Sequence, residues 1–531
     1  MGAGSGGQIG QLAAIQEKVR VRTEQKFSWY GPWLREQLER DDPSGRGYEE
    51  AVPLVTAPVL EAHYYTEANP LAQQEGIHSY RTSGTSSGRR KSIFYSPSDE
   101  KAYVRIKLEV FRSILGSSGY GRALADMGTG HAEATAVDVF RQLGMEVESL
   151  SFQLPVERHI ERLTSFRPEV LYTMPSILDR ILQASTKPYD YGIRHVILVG
   201  EIASPEWRKS VAGRMGLPLE KITDTYGSIE IGTIAYYDHK HGRYLLTEGL
   251  VAEGICIDEV LREADWLRAK GTADEDHREP ERPEGTRAAG ERPGLMLPGG
   301  NEWNAKQKDW MRSEWNDWDG KQRDGARLEE VNEQGDSFEQ TWSAGVRGEE
   351  QQERACLKES AGSIHPLEPQ LSLAAGTGEQ VLVLTSTVRD AFPALRYVTY
   401  DVVRDLRTVI VDGVSRQSFQ SIVKRVGPDL KHGEKISLFD IEEVVFRHLR
   451  DTSIQVKVIS NRLQVQLYGP QIPASVLGSI RLDLENRIPQ IGMMIRSGLL
   501  DGIEVIGGTY EDGQHRGAVK GKRVIYEEEN A

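Results

Sequence analysis

The sequence predicts an α/β protein built from a large N-terminal α/β domain and a small α+β module of ferredoxin-like type at its C-terminal end, with a long polar insertion dividing the large domain. Three observations carry this prediction. Before Met215 the chain repeats a buried strand, a loop and a helix, the rhythm of a parallel sheet flanked by helices. After Arg425 it runs helix, strand, strand, helix, strand, a split βαβ order. Between Glu259 and Leu373, Glu, Arg, Gly, Asp and Gln dominate and aliphatic residues almost vanish. The expected division is therefore residues 1–258 with 374–424 as the large domain, 259–373 as the insertion and 425–531 as the small domain.

Composition limits the possible functions. A chain of 531 residues is long enough for about three domains. Its formal charge of −14 argues against a nucleic-acid partner, for which a basic face is expected. Cys256 and Cys356 are the only cysteines, so no disulfide framework and no thiolate metal cluster is expected, as suits a reducing cytoplasm. No apolar run approaches the ~18 residues of a membrane span. The expectation is a cytoplasmic protein without a membrane partner.

Taken in order, Leu12 to Arg40 reads as two helices broken at Gly31-Pro32, with Phe27, Tyr30, Leu34 and Leu38 on a partly apolar face. Ser96-Pro97-Ser98-Asp99 is a helix start, with a capping hydroxyl, proline at the first position and an acid three residues after the cap. Val104, Leu108, Phe111 and Leu115 continue at helical spacing. Small residues follow at Asp126-Met127-Gly128-Thr129-Gly130-His131, a βα turn in which His131 reads as a hydrogen-bonding residue. Glu169 to Thr173 reads as a buried strand before the helix that Pro175 opens. His195 to Val199 is the next strand, followed by Gly200-Glu201 and a helix from Pro205 to Met215. Ligands of such domains sit beyond the carboxyl ends of the strands, where Gly200 and Glu201 lie.

Two segments have the chemistry of a nucleotide site. Thr82-Ser83-Gly84-Thr85-Ser86-Ser87-Gly88 ends in Arg89-Arg90-Lys91; glycines let backbone N–H groups approach a polyphosphate, hydroxyls add donors and the cations offset its charge. A strand follows this loop, so it is not a P-loop. In Asp224-Thr225-Tyr226-Gly227-Ser228-Ile229-Glu230 an aromatic can cover a base and a carboxylate can hold Mg²⁺.

The insertion is expected to be disordered, because a polar chain with isolated aromatics cannot offset an ordering entropy of ~1–2 kcal/mol per residue. It nevertheless holds Trp266, Trp303, Trp310, Trp315, Trp318 and Trp342, which makes it a candidate docking arm for a protein partner.

Beyond the insertion, Gly378-Glu379-Gln380-Val381-Leu382 leads through Phe392-Pro393 to Arg396-Tyr397-Val398-Thr399-Tyr400-Asp401. Together with the hydroxyl-rich loop and Tyr226 to Glu230, this order resembles the adenylate-forming (AMP-binding) enzymes, and their phenylacetate-CoA ligase branch in particular. The resemblance covers about four-fifths of the chain. It implies a large AMP-binding domain with a mobile C-terminal lid. It also implies a nucleotide site of Thr82, Ser83, Gly84, Thr85, Ser86, Ser87, Gly88, Lys91, Gly200, Glu201, Asp224, Tyr226, Gly227, Asp401 and Arg425, with Asp401 on the ribose hydroxyls. Thr85 and Glu230 would hold Mg²⁺, and Lys520 or Lys522 would serve as the adenylation lysine. Met127, Tyr172 and Ile202 would line the acyl pocket. Tyr400 stands where a glycine is usual, and Tyr237-Asp238 with His239 and His241 replaces the zinc ligands of some members, so no structural zinc is expected.

The resemblance further implies a ligase that uses ATP, Mg²⁺ and coenzyme A. It would join an aryl or arylacetic acid to AMP and then to the thiol. Two alternatives remain: loading of a carrier-protein or protein thiol, and a non-catalytic nucleotide-binding scaffold.

Overall fold

A computed structural model describes residues 5–41, 52–66, 68–81, 91–127, 131–260, 378–426, 438–459, 462–469, 471–496, 498, 500–508 and 524–527. The loop Thr82 to Gly88, both candidate lysines Lys520 and Lys522, and the insertion beyond Val260 with its tryptophans lie outside these residues.

Two helices, α1 (Ser5–Lys26) and α2 (Tyr30–Asp41), open the chain. The break falls before Tyr30, whereas the sequence suggests Gly31-Pro32. Pro32 lies in the first turn of α2, where its missing N–H has no intrahelical partner to lose. After α3 (Ala57–His63), the hairpin β1 (His78–Arg81) and β2 (Ser92–Tyr95) pairs antiparallel with Arg81 opposite Ser92. Helix α4 (Pro97–Leu115) begins as expected: Ser96 Oγ accepts from Asp99 N at 3.2 Å while Asp99 Oδ2 accepts from Ser96 N at 2.9 Å.

The strand and helix rhythm then gives β3 (Arg122–Asp126), α5 (His131–Gln142), β4 (Glu146–Leu150), α6 (Val156–Phe166), β5 (Val170–Thr173), α7 (Pro175–Ala184), β6 (His195–Leu198) and α8 (Pro205–Met215). Strands β7 (Ile222–Ser228), β8 (Gly232–Asp238), β9 (Arg243–Leu246) and β10 (Leu250–Ile255) follow. Beyond the insertion come β11 (Glu379–Ser386), β12 (Tyr397–Arg404), β13 (Arg407–Val411), β14 (Val414–Phe419) and β15 (Ser421–Arg425).

These strands form two sheets. One has nine strands in the order β13-β14-β9-β8-β7-β6-β5-β3-β4, parallel from β7 to β4 and antiparallel from β7 to β13. The other is the antiparallel β10-β11-β12-β15. Parallel strands covered on both faces must be apolar throughout, and β5 and β6 are buried at every position.

The small domain comprises α9 (Leu438–His448), β16 (Ser453–Ile459), β17 (Arg462–Tyr468), α10 (Ala474–Arg487), α11 (Pro489–Arg496), β18 (Gly502–Gly508) and β19 (Val524–Glu527). Its sheet runs β18-β17-β16-β19, with β17 and β16 antiparallel and both edges parallel to their neighbours. Strand β19 is an addition to the sequence reading, which ends the small domain on one strand after its second helix. The apolar core of α9, β16, β17 and α10 is continuous with that of α7 and α8.

The core also keeps histidines neutral. His195 is 1% exposed between Tyr120 and Thr223, its Nε2 3.1 Å from Thr223 Oγ1, and burial pushes its pKa down from 6.5 to about 3. Below pH 6.5 the unfolded chain therefore binds a proton that the folded chain refuses. Stability is complete above that pH and falls as pH drops toward 3, by about 1.4 kcal/mol per pH unit from this residue. Urea unfolding at pH 7 and pH 5 should show the loss, and His195→Gln should shrink it. An unchanged difference in the variant would remove His195 as a cause.

Candidate active site

Asp401 lies on β12 opposite Arg425 on β15. Its Oδ2 accepts a hydrogen bond of 2.6 Å from the Tyr226 hydroxyl, and its Oδ1 is 3.9 Å from Arg425 Nη1. Three residues far apart in sequence thus meet at one point. Arg425 is pushed up, first by the charge of Asp401, with burial opposing and Tyr397, Tyr226 and Glu230 adding to the rise. The carboxylate is half-buried and keeps lone pairs beyond the tyrosine bond, so it can accept from a diol. Tyr400 has φ +63°, the left-handed region in which a glycine is unstrained. Its carbonyl accepts from Val426 N at 2.8 Å and its hydroxyl from Ala57 N at 3.0 Å, contacts that hold the strained residue in place.

The turn after Tyr226 depends on glycine for a different reason. A Cβ at Gly227 would stand 2.6 Å from the Gly232 carbonyl oxygen, so any side chain would push β7 and β8 apart. Two bonds to the backbone hold the segment beyond it: Tyr95 donates to the Ile229 carbonyl at 2.7 Å and Arg389 Nε to the Glu230 carbonyl at 2.8 Å. The Glu230 carboxylate is half-buried and makes no hydrogen bond or ion pair among the described residues, the state in which a hard divalent cation can take it.

Around this centre the expected residues divide. Lys91 starts at the edge of the hydroxyl-rich loop, but its ammonium is 2.8 Å from Glu61 and 4.8 Å from the Tyr65 ring centre. Gly200, at φ +82°, follows β6, and the Glu201 carboxylate caps α7 by accepting from Ser176 N at 2.8 Å and Ser176 Oγ at 2.7 Å. Asp224 is only 2% exposed, accepts from the Tyr244 hydroxyl and is pushed up to about 7 by burial. The charge of Arg208, whose guanidinium stacks 3.8 Å from the Tyr237 ring centre, opposes that rise. Of the acyl-pocket residues, Met127 and Tyr172 are 7% and 2% exposed, with Tyr172 against Phe111 and Phe140. Ile202 packs instead with the group that includes Tyr226 and Tyr103.

Sequence reasoning missed a cluster beside β1. His131 stacks on Tyr80 and Tyr103 at 4.1 and 4.7 Å, and burial lowers its pKa to about 4. Glu100 accepts from the Tyr80 hydroxyl at 2.6 Å and lies 3.5 Å from His131 Nε2. Lys107 lies in the same region, and its signal was available: a lysine stands within the apolar stripe of Val104 and Phe111 on α4. Arg389 gave no signal, because its partners Phe94, Asp99 and Glu230 are all remote in sequence.

Comparison with known proteins agrees with this geometry. The family described as fumarate--diaminopropanoate ligase C-terminal domain matches residues 431–511. Over 479 residues, 90% of this chain and 91% of the relative, the sequence is 29% identical to the fumarate--(S)-2,3-diaminopropanoate ligase of Enterobacter agglomerans. It is 27% identical over 240 residues to the phenylacetate-coenzyme A ligase of Thermus thermophilus, covering 42% of this chain and 51% of that one. These similarities support the adenylate-forming superfamily, in its phenylacetate-CoA ligase-like branch.

The superfamily fold is equally clear. The solved structure of 2-hydroxyisobutyryl-CoA ligase in the postadenylation state aligns with a TM-score of 0.56 over 98% of this chain and 90% of that one, at 12% identity. An adenylate-forming ligase of this fold has a large α/β domain and a smaller C-terminal sheet domain, as found here. No helix among the described residues is long and apolar enough to cross a membrane.

Proposed function

We propose that this chain activates a short dicarboxylic acid with ATP and passes the acyl group to the amine of an amino acid. The observation that carries the activation step is the meeting of Tyr226, Asp401 and Arg425. In this reading the acid's carboxylate oxygen attacks the α-phosphorus, the bond to pyrophosphate breaks and acyl-AMP forms. Asp401 accepts hydrogen bonds from both ribose hydroxyls, Tyr226 covers the adenine, and Arg425 stands beside the Asp401 carboxylate. Mg²⁺ bound by Glu230 and Thr85 would neutralise charge on the pyrophosphate. In the second step the nucleophile attacks the acyl carbonyl carbon and AMP leaves with the bonding electrons.

The choice of acid and acceptor has its own support. The relative that aligns over 90% of this chain is named for fumarate and a diamino acid, and the family matching residues 431–511 carries the same description. A second reading, transfer of an arylacetic acid to coenzyme A, is supported by the Thermus relative over 42% of the chain. Isotope exchange between ATP and pyrophosphate across fumarate, succinate, phenylacetate and benzoate tests the first step. Product analysis with 2,3-diaminopropanoate or coenzyme A as acceptor tests the second. Exchange with an acid, followed by amide formation only, establishes the first reading, and thioester formation only would replace it by the second. Absence of exchange with every acid would favour a nucleotide-binding scaffold.

The same assay tests the lysine. Replacing the true adenylation lysine, Lys520 or Lys522, by alanine should lower exchange by about 10²–10³, the usual loss when a group stabilising developing charge is removed. The other alanine variant should stay within about threefold of the unchanged protein. Full exchange in both would end the lysine assignment.

A further inference from the structure

We propose that Lys107 determines the choice of acid: its ammonium takes the remote carboxylate of a short dicarboxylic acid while the near carboxylate is adenylated. This rests on the reading that the chain adenylates an acid, and adds to it the group that would recognise the acid's far end.

Lys107 is 2% exposed and points into the core from α4. Its Nζ donates to the Ala132 carbonyl at 2.9 Å, and the ring centres of Tyr172, Tyr103 and Phe111 stand at 5.1, 5.3 and 5.8 Å. An ammonium has three donors, and this one has a single hydrogen bond and no carboxylate in ion-pair contact among the described residues. Burial of the charge is costly and pushes Lys107 down to about 7, opposed by the charge of Glu133, which makes no direct ion pair with it among the described residues. A lysine needed only to fill space would be better replaced by an apolar residue of similar volume.

Position gives the charge a use. Ala132 is in the first turn of α5, and Tyr172 lies next to the carboxyl end of β5. Ligands of a doubly wound sheet bind at that end of the strands. Beside Lys107, the Tyr103 ring also carries His131 on it, and His131 Nε2 is buried without a hydrogen bond. The ammonium and the imidazole share aromatic walls, but His131 Nε2 already faces the Glu100 carboxylate at 3.5 Å, so Lys107 alone is the cation that an incoming carboxylate would find here. The remote carboxylate would complete the ion pair that the fold leaves open.

The test measures ATP–pyrophosphate exchange with fumarate and succinate, with their monomethyl esters and with crotonate and butyrate, in the unchanged protein and in Lys107→Met. The unchanged protein should prefer each diacid over its half-ester by at least about 30-fold, the scale of a desolvated charge pair. Lys107→Met should lose at least about 30-fold in kcat/KM for the diacids, keep or gain activity with crotonate, and leave the KM for ATP unchanged. An equal fall for diacids and monoacids, or a diacid preference that survives the substitution, would overturn the proposal. If Lys107→Met fails to fold, the unchanged protein still decides: a preference for half-esters or monoacids overturns the role of Lys107 and leaves the ligase reading intact. Exchange with no acid at all overturns the ligase reading, and this one with it.

Discussion

Asp401→Ala should raise the KM for ATP in the exchange assay by about 10²–10⁴, since each hydrogen bond to a charged group is worth roughly 1.5–3 kcal/mol and a ribose diol would lose two. The effect has a second source. Arg425 loses the charge that chiefly holds it, and the Tyr226 hydroxyl loses its acceptor, so the surface against the nucleoside loosens as well. Asp401→Asn keeps the shape and one good acceptor, and should cost nearer 10-fold. Tyr226→Phe, which removes the hydroxyl and keeps the ring, should fall between the unchanged protein and Asp401→Asn. A KM for ATP unchanged in Asp401→Ala would detach the carboxylate from the ribose.

Arg389→Met should destabilise the protein by roughly 3–5 kcal/mol, the usual consequence of removing one partner of a buried ion pair. Arg389 is 3% exposed, with its guanidinium 2.5 Å from Asp99 and stacked 3.9 Å from the Tyr95 ring centre. It also donates to the carbonyls of Phe94 and Glu230 at 3.0 and 2.8 Å. The substitution leaves two carbonyls without a donor and the Asp99 carboxylate with only backbone N–H partners at Ser96, Asp390 and Ala391. Adding Asp99→Asn should recover part of the loss by removing the unbalanced charge. Urea unfolding of the single and double variants measures both effects. A loss under about 1 kcal/mol for the single variant would mean that water replaces the guanidinium, which its burial argues against.

The sequence was easiest to read where local chemistry and tertiary structure agree. Ser96-Pro97-Ser98-Asp99 announces a capped helix, and the short, mostly apolar runs Val170 to Thr173 and His195 to Leu198 announce central strands. The antiparallel half of the large sheet was harder to see. Strand β14 is exposed at Val414, Ser415 and Arg416, and β7 shifts register between Tyr226 and Gly227, so neither shows a clean alternation. Strand β19 is four residues long and follows a basic run, and only its partner β16 makes it a strand. In the site, Asp401, Tyr226 and Arg425 were legible through their motifs, and the structure adds their contact. Arg389 and Glu100 were not legible, because their roles exist only in partners that the fold brings together from distant parts of the chain.

The pairing of β10 with β11 sets Ile255 opposite Val381, so the two ends of the longest connection in the chain leave the sheet side by side. Closing a loop costs only about 0.6 kcal/mol for each doubling of its length, so lengthening a five-residue turn to residues 256–378 adds about 3 kcal/mol of closure entropy. Once that is met, the ladder is indifferent to the length of the segment that joins its strands. The large domain is therefore modular beyond Val260, which is buried in the same core as Val381 and Val402: sequence between Val260 and Gly378 can change in length while the strands carrying Tyr226, Asp401 and Arg425 keep their register.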